Sequence, residues 1–298
     1  MEVTEKQLLV FQLKCKGSDY LKRFNSALIF LIPLVLIVVL YFFLPLIYML
    51  ISSFTTNKNV SFENYLSIFT SKFLLLSFWN SIKLSFISAI VALIAALLGV
   101  YAMYSYSEAA RERILVIINL TSNFSGIPLA FAFIILLGNS GFLTIIMNKM
   151  GWDLSFSIYS WSGLVLIYIY FQLPLAVMLL YPIYYGIQQN LKDAATLLKA
   201  SPFTFWRRIG VPIILPSVAG TFAILFANAM GAYASAYALT GSSLNITAIR
   251  IGNLLSGDIF ADPELASAIA VVLGSIMVTS MLLSEWLTKR TRKDLIRK

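Results

Sequence analysis

The sequence has no histidine, a single cysteine (Cys15) and little charge, with Asp, Glu, Lys and Arg making up 12% of 298 residues. Soluble domains carry about a quarter. Each shortage excludes something. One cysteine rules out a disulfide within the chain and a thiolate metal cage. The commonest general base and metal ligand is missing with histidine, which disfavours zinc, redox and triad chemistry, and without paired acids a membrane-embedded enzyme has little to work with. No stretch reads Gly-x-x-x-x-Gly-Lys-Ser/Thr, so the chain lacks the phosphate loop of an ATPase. What is present is oil. At 59% hydrophobic residues, an all-α integral membrane protein is expected.

A membrane-spanning helix needs about 20 mostly apolar residues, and six stretches supply them: Ala27 to Ile51, Phe78 to Tyr104, Ile114 to Leu137, Gly163 to Tyr185, Ile213 to Leu239 and Leu265 to Leu287. The first run is too long for a signal peptide and ends without a small-x-small cleavage pattern. Three parts result: an N-terminal segment, 1–26, in which the mixed apolar and basic residues from Glu5 to Arg23 suit a helix lying on the membrane surface; a six-helix domain, 27–287; and a basic tail, 288–298. Cys15 is read as inert.

The formal net charge of +9 admits two readings, nucleic acid or membrane topology. Position decides. With six spans, one side holds the N-terminal Lys6, Lys14, Lys16, Lys22 and Arg23, then Arg111, Arg113, Lys192, Lys199, Arg207 and Arg208, and the tail bases. Only Lys58, Lys72, Lys83, Lys149 and Arg250 fall opposite. Positive residues accumulate in the cytoplasm, so both termini are expected there, and no nucleic-acid partner is.

Between spans four and five, Gly186 to Pro212 forms the longest loop on that side. Leu191, Ala194, Ala195 and Leu198 follow helical spacing as a narrow apolar stripe, with Asp193 expected near the positive helix start. Ser201 is a candidate N-cap with Pro202 at the first helical position, opening a second short helix with Phe203 and Trp206 on one side and Arg207 and Arg208 behind them. The loop therefore reads as helix, turn, helix. An interfacial loop touching lipid headgroups has the same composition.

This stretch resembles the cytoplasmic motif of bacterial ABC importer permeases: Glu-Ala-Ala, three residues, Gly, about nine residues, then Ile-x-Leu-Pro. Asp193, Ala194 and Ala195 match its start; Ala200, Ser201, Pro202 and Phe203 match the small-small-Pro-aromatic run; Ile209, Gly210, Val211 and Pro212 match its end. Lys199 stands where glycine is expected, and if that turn needs positive φ, lysine is strained there. Glu108, Ala109 and Ala110 repeat the first three letters without the rest. The resemblance, which covers roughly Phe62 to Leu287, implies that the loop docks on an ATPase. Asp193 would pair with a basic group, Ala194 and Ala195 would allow close approach, and Phe203 would anchor in an apolar pocket. It further implies two ATPase subunits binding ATP and Mg, with no cofactor on this chain, a second homologous permease expected to be a different chain, an extracytoplasmic substrate-binding protein, and a place in the bacterial inner (plasma) membrane.

Polar residues inside the spans mark candidate path positions: Asn119, Ser122 and Asn123, followed by Ser125, Gly126 and Pro128, in span three; Asn228, Tyr233, Ser235 and Tyr237 in span five; and Asn80 in span two. Interrupted helices are tolerated where they face protein or a water-filled cavity, while helix packing through small and polar residues explains each singly. Pro174 and Pro182 are expected to bend span four. The acidic stretch Asp258, Asp262 and Glu264 suits either a binding-protein contact or plain solvation. The stretches GAYASAYALTGSS and DPELASAIAVVLG resemble the permease group handling polyamines, aminoethylphosphonate, iron and thiamine, with a polyamine such as spermidine or putrescine placed first and aminoethylphosphonate next. An ion-coupled secondary transporter, the alternative class, would keep an intramembrane charge for coupling, and only Lys83 comes near.

Overall fold

The computed structural model describes residues 31–56, 59–151, 156–185, 189–256 and 261–296. The N-terminal segment with Cys15, and Asp258, lie outside them. The chain divides into two compact units, Met1–Ser52 and Ser53–Lys298. Among the described residues, six helices are long and apolar enough to cross a membrane, in agreement with an all-α membrane fold.

The first unit contributes one such helix, α1 (Leu31–Ser53). It contains a π-helical turn at Val39–Phe43, just before Pro45. Proline has no N–H to give the carbonyl four residues back, and a wider turn is a usual way for a helix to absorb such a gap.

The second unit opens with a two-stranded antiparallel ribbon, β1 (Thr55–Thr56) and β2 (Asn59–Val60), and the short helix α2 (Glu63–Thr70). Ser71 then starts α3 (Lys72–Met103), its Oγ accepting from the Leu74 N–H. One face of α3 is small: Ser77, Ser81, Ser85, Ser88, Ala92 and Ala96 are all buried. Lipid tails are as apolar as leucine, so helices in a membrane associate through close packing of such residues and hydrogen bonds between helices. Helix α7 (Trp161–Tyr185) packs closely against α3, and its buried Gln172 donates from Nε2 to Ser88 Oγ at 2.8 Å. Proline interrupts α7 at Pro174 and Pro182 without ending the helix.

Between these two, α4 (Glu108–Ser122), α5 (Ile127–Leu137) and α6 (Phe142–Lys149) occupy the region of the third span. The helix breaks where the sequence marks it, and the bounds read as Ile114 to Leu137 are corrected. Gly126, with φ of 73°, and Pro128 in the first turn of α5 cannot continue a helix; the membrane-length segment is Ile127–Lys149. Glu108, Ala109 and Ala110 form the first turn of α4, not a loop.

After α7 come α8 (Gln189–Leu197), α9 (Pro202–Phe205), a π turn at Trp206–Gly210 and α10 (Val211–Met230). The fifth span also ends early: α10 stops at Met230, and α11 (Tyr233–Thr240) is a separate helix. Helix α12 (Thr247–Ser256) leads to α13 (Pro263–Ile296), which runs through most of the basic segment after Leu287. Asp262 Oδ1 accepts from the Leu265 N–H at 2.9 Å, capping the start of α13.

Candidate functional site: a cavity at two helix breaks and an exposed loop

The two interrupted spans meet. Gly126, in the break between α4 and α5, presents its carbonyl to Ser235 Oγ on α11 at 3.2 Å. Ala232, in the break between α10 and α11, gives its carbonyl to the Tyr168 hydroxyl of α7 at 2.6 Å. Backbone groups freed by a break in a membrane need such partners. Beside this junction lies a cavity of about 660 Å³ lined by Ser122, Ser125, Phe171, Asn228, Tyr233 and Met277, with Gly231 and Ala232 from the break itself. Among the described lining residues there is no carboxylate, ammonium or guanidinium. The surface offered is hydroxyl, amide and aromatic.

Of the positions read from the sequence, Ser122, Ser125, Gly126, Asn228, Tyr233 and Ser235 line this cavity. Tyr237 does not line it and is stacked on Tyr233 with ring centroids 5.2 Å apart. Asn80 is elsewhere, donating to the Asn245 carbonyl at 3.0 Å. Asn119 and Asn123 are engaged with each other, the Asn123 amide donating to the Asn119 carbonyl at 2.9 Å, and they do not line the cavity. Phe171, Leu175 and Met277 are the contributors that sequence reasoning missed. They are apolar residues on apolar helices, and no sequence signal separates them from lipid-facing neighbours.

The loop between α7 and α10 folds as helix, turn, helix. Its turn is a Schellman motif: the Ala200 N–H donates to the Ala195 carbonyl and the Lys199 N–H to the Thr196 carbonyl, both at 2.9 Å. Such a motif places the residue after the C-cap in the left-handed region. Lys199 occupies that position with φ of 52° and is the one non-glycine residue with positive φ among those described. The turn therefore keeps the geometry a glycine would favour and carries lysine in it. Ser201 caps the second helix, its Oγ accepting from the Thr204 N–H at 3.2 Å, with Pro202 following.

Three expectations for this loop change. The described helix begins at Gln189 and has no acidic residue in its first turn, so Asp193 falls beyond that turn. The stripe buries only Ala195 among its four residues; Leu191, Ala194 and Leu198 are exposed. Phe203 and Trp206 do not share a side. Phe203 is 73% exposed, whereas Phe205 is buried against Ala195. Trp206 stacks on Tyr184, at the end of α7, with centroids 5.2 Å apart and planes at 21°. It also meets Tyr101 of α3 edge-on at 6.2 Å. Trp206 continues the helix of Phe203 and opens the π turn, and its ring is held inward by Tyr184 and Tyr101. The loop is thus rooted by Ala195, Phe205 and Trp206, and presents Leu197, Leu198 and Phe203, which are 85%, 82% and 73% exposed.

The sequence profile of the family described as binding-protein-dependent transport system inner membrane component matches residues 95–293. The chain belongs to this family. As an ABC importer permease it is a transport component and not an enzyme, and the breaks, cavity and loop all fall within the matched residues. Its relatives include the spermidine/putrescine transport system permease protein PotC of Escherichia coli strain K12, 23% identical over 261 residues, 85% of this chain and 93% of the relative. The trehalose transport system permease protein SugB of Mycobacterium tuberculosis is 27% identical over 224 residues, 74% of each chain. Among solved structures, a chain of a bacterial ABC transporter importing the polysaccharide alginate superposes with a TM-score of 0.73 at 17% identity, over 90% of this chain and 96% of that one. A chain of the MetNI methionine ABC transporter gives 0.55 at 15% identity, over 73% and 95%. At these identities the superpositions report the fold.

Proposed function

We propose that this permease forms one half of the path by which an ATP-driven importer of the bacterial inner membrane moves a small polar solute, delivered by an extracytoplasmic binding protein, into the cell. The observation that carries the reading is the cavity where two interrupted spans meet. Irregular backbone at membrane depth is tolerated where it lines such a space. Both termini and the loop face the cytoplasm, following the distribution of Lys and Arg. Leu197, Leu198 and Phe203 dock in an apolar groove on an ATPase subunit, Asp193 pairs with a basic group beside it, and ATP and Mg are bound there. Six spans supply half of a symmetric pore, so a second, homologous permease completes it and a second ATPase sits beneath that subunit.

A polyamine is the first candidate solute, on the resemblance of the segments around α11 and α13 and the likeness to PotC. A polycation in this cavity needs carboxylates, because an uncompensated charge inside a membrane is costly, and the second permease must supply them. The uncharged lining favours a second reading, a neutral sugar held by hydroxyls, the Asn228 amide and the Tyr233 and Phe171 rings. The test is ATP hydrolysis by the complex purified through this chain, with its binding protein and with spermidine, putrescine or trehalose in turn. Stimulation by a polyamine supports the first reading, stimulation by trehalose alone replaces it with the second, and the absence of any co-purifying ATPase overturns the importer.

A further inference from the structure

Gly252, inside α12, lies directly behind the aromatic wall of the cavity. A Cβ at this position would stand 2.6 Å from Cε2, 2.8 Å from Cζ and 3.0 Å from the hydroxyl oxygen of Tyr233. Non-bonded carbons pack at about 3.5–4.0 Å, so the Tyr233 ring fills the space that any side chain at 252 would take. No positive φ demands this glycine, and within a helix glycine is less favourable than alanine. Its use is the close approach of the ring.

The half-buried ring has one further aromatic neighbour. One face stacks on Tyr237 with planes at 23°, and the preceding residue, Ala232, is held by the Tyr168 hydroxyl. Helix α12 is itself tied to α3. The Thr247 N–H donates to Ser81 Oγ at 2.9 Å. Arg250 donates from Nε to Asn245 Oδ1 at 2.8 Å and lies 4.2 Å above the Phe73 ring. Glycine and helix are therefore fixed, and a ring displaced from Gly252 has the cavity as its free space.

We propose that Gly252 is a specificity-determining residue of the transport path. By carrying no side chain it lets Tyr233 withdraw from the cavity, and so sets the cross-section of the solute that passes. The inference rests on the cavity being the path. It places the limit on solute width at a residue that does not itself line the cavity.

The test uses the full chain in its assembled transporter, with Cys15→Ser and Asn228→Cys, and compares labelling of the new thiol by aminoethyl methanethiosulfonate and by a bulky biotin maleimide. Gly252→Ala should slow the bulky reagent relative to the small one by about tenfold, the effect of about 1.4 kcal/mol. Adding Tyr233→Ala should abolish that difference, since two groups acting through one contact are non-additive. Tyr233→Ala with Gly252 intact should speed the bulky reagent. Equal slowing of both reagents, a difference that survives removal of the ring, or no acceleration in Tyr233→Ala overturns the proposal. Repeating the labelling with ATP and vanadate separates the two readings. If the thiol introduced by Asn228→Cys responds to Gly252→Ala yet ignores nucleotide, the cavity is removed from the path, and the specificity role falls with it, while the ring contact stands.

Discussion

Lys199 shows how a single residue keeps a turn that its own chemistry opposes. An L-residue in the left-handed region costs about 1–2 kcal/mol, and Lys199 sits at φ of 52° because the two Schellman hydrogen bonds and the Ala195–Ala200 packing hold it. Lys199→Gly should therefore stabilise the loop by about 1 kcal/mol, a fivefold slowing of amide exchange at Lys199 and Ala200, as hydrogen-exchange mass spectrometry on the purified complex would show. Unchanged or faster exchange would mean that the lysine side chain makes a compensating contact. Gly126 poses the converse case. Its φ of 73° is strained for any other residue, yet a Cβ would meet nothing nearer than Ala234 Cβ at 3.8 Å. Gly126→Ala should thus cost only the backbone strain, about 1–3 kcal/mol, read as a lower unfolding temperature in detergent with the cavity still accessible to thiol reagents at Asn228→Cys.

Helices α3 and α7 set the frame against which the loop works, and Trp206 is its joint. The ring lies against Gly210, where a Cβ would collide with Trp206 Cε3, so Gly210→Ala should expel it from its stack on Tyr184. The expected outcome is a complex that still hydrolyses ATP but loses stimulation by binding protein and substrate. Retained stimulation would show that the stack is structural only. The small face of α3 permits a sharper stability test. Ala92→Leu overfills a fully buried site and should destabilise the bundle by about 1–3 kcal/mol, measured as the unfolding temperature in detergent. These elements were unevenly legible in the sequence. Apolar runs of spanning length are a strong signal, and the Ser201 cap with Pro202 marks a helix start by chemistry alone. The break at Gly231 and Ala232 carries no such mark, because both residues also occur inside membrane helices. Phe203, Phe205 and Trp206 are separated by so few positions on a four-residue helix that the partners they meet, Ala195 for Phe205 and Tyr184 for Trp206, decide which of them face inward. The cavity was legible through Ser122, Asn228 and Tyr233, which are polar in an apolar setting, and illegible through Phe171 and Met277, which are not.

In the whole molecule, the rooted loop and the cavity lie in one compact unit, connected by the continuous helix α10 from the π turn at Trp206–Gly210 to the break at Gly231. Under the proposed function, a push on the loop would be received at Trp206 and Phe205, which root it, and would reach the cavity at Asn228 through α10. Helices are stiff along their axes, so the displacement should be felt at the break, where the backbone has no regular helix to carry it further. This predicts an asymmetry between two classes of variant. Phe203→Asp places a charge on the exposed surface without touching the root, and should abolish co-purification of the ATPase while changing stability by no more than about 0.5 kcal/mol, as surface changes do. Phe205→Ala empties a buried site and should lower stability by about 3–5 kcal/mol before any effect on assembly is seen. If Phe203→Asp retained its ATPase, the exposed apolar side chains would belong to the lipid surface, and the loop would be an interfacial contact with no part in the power stroke.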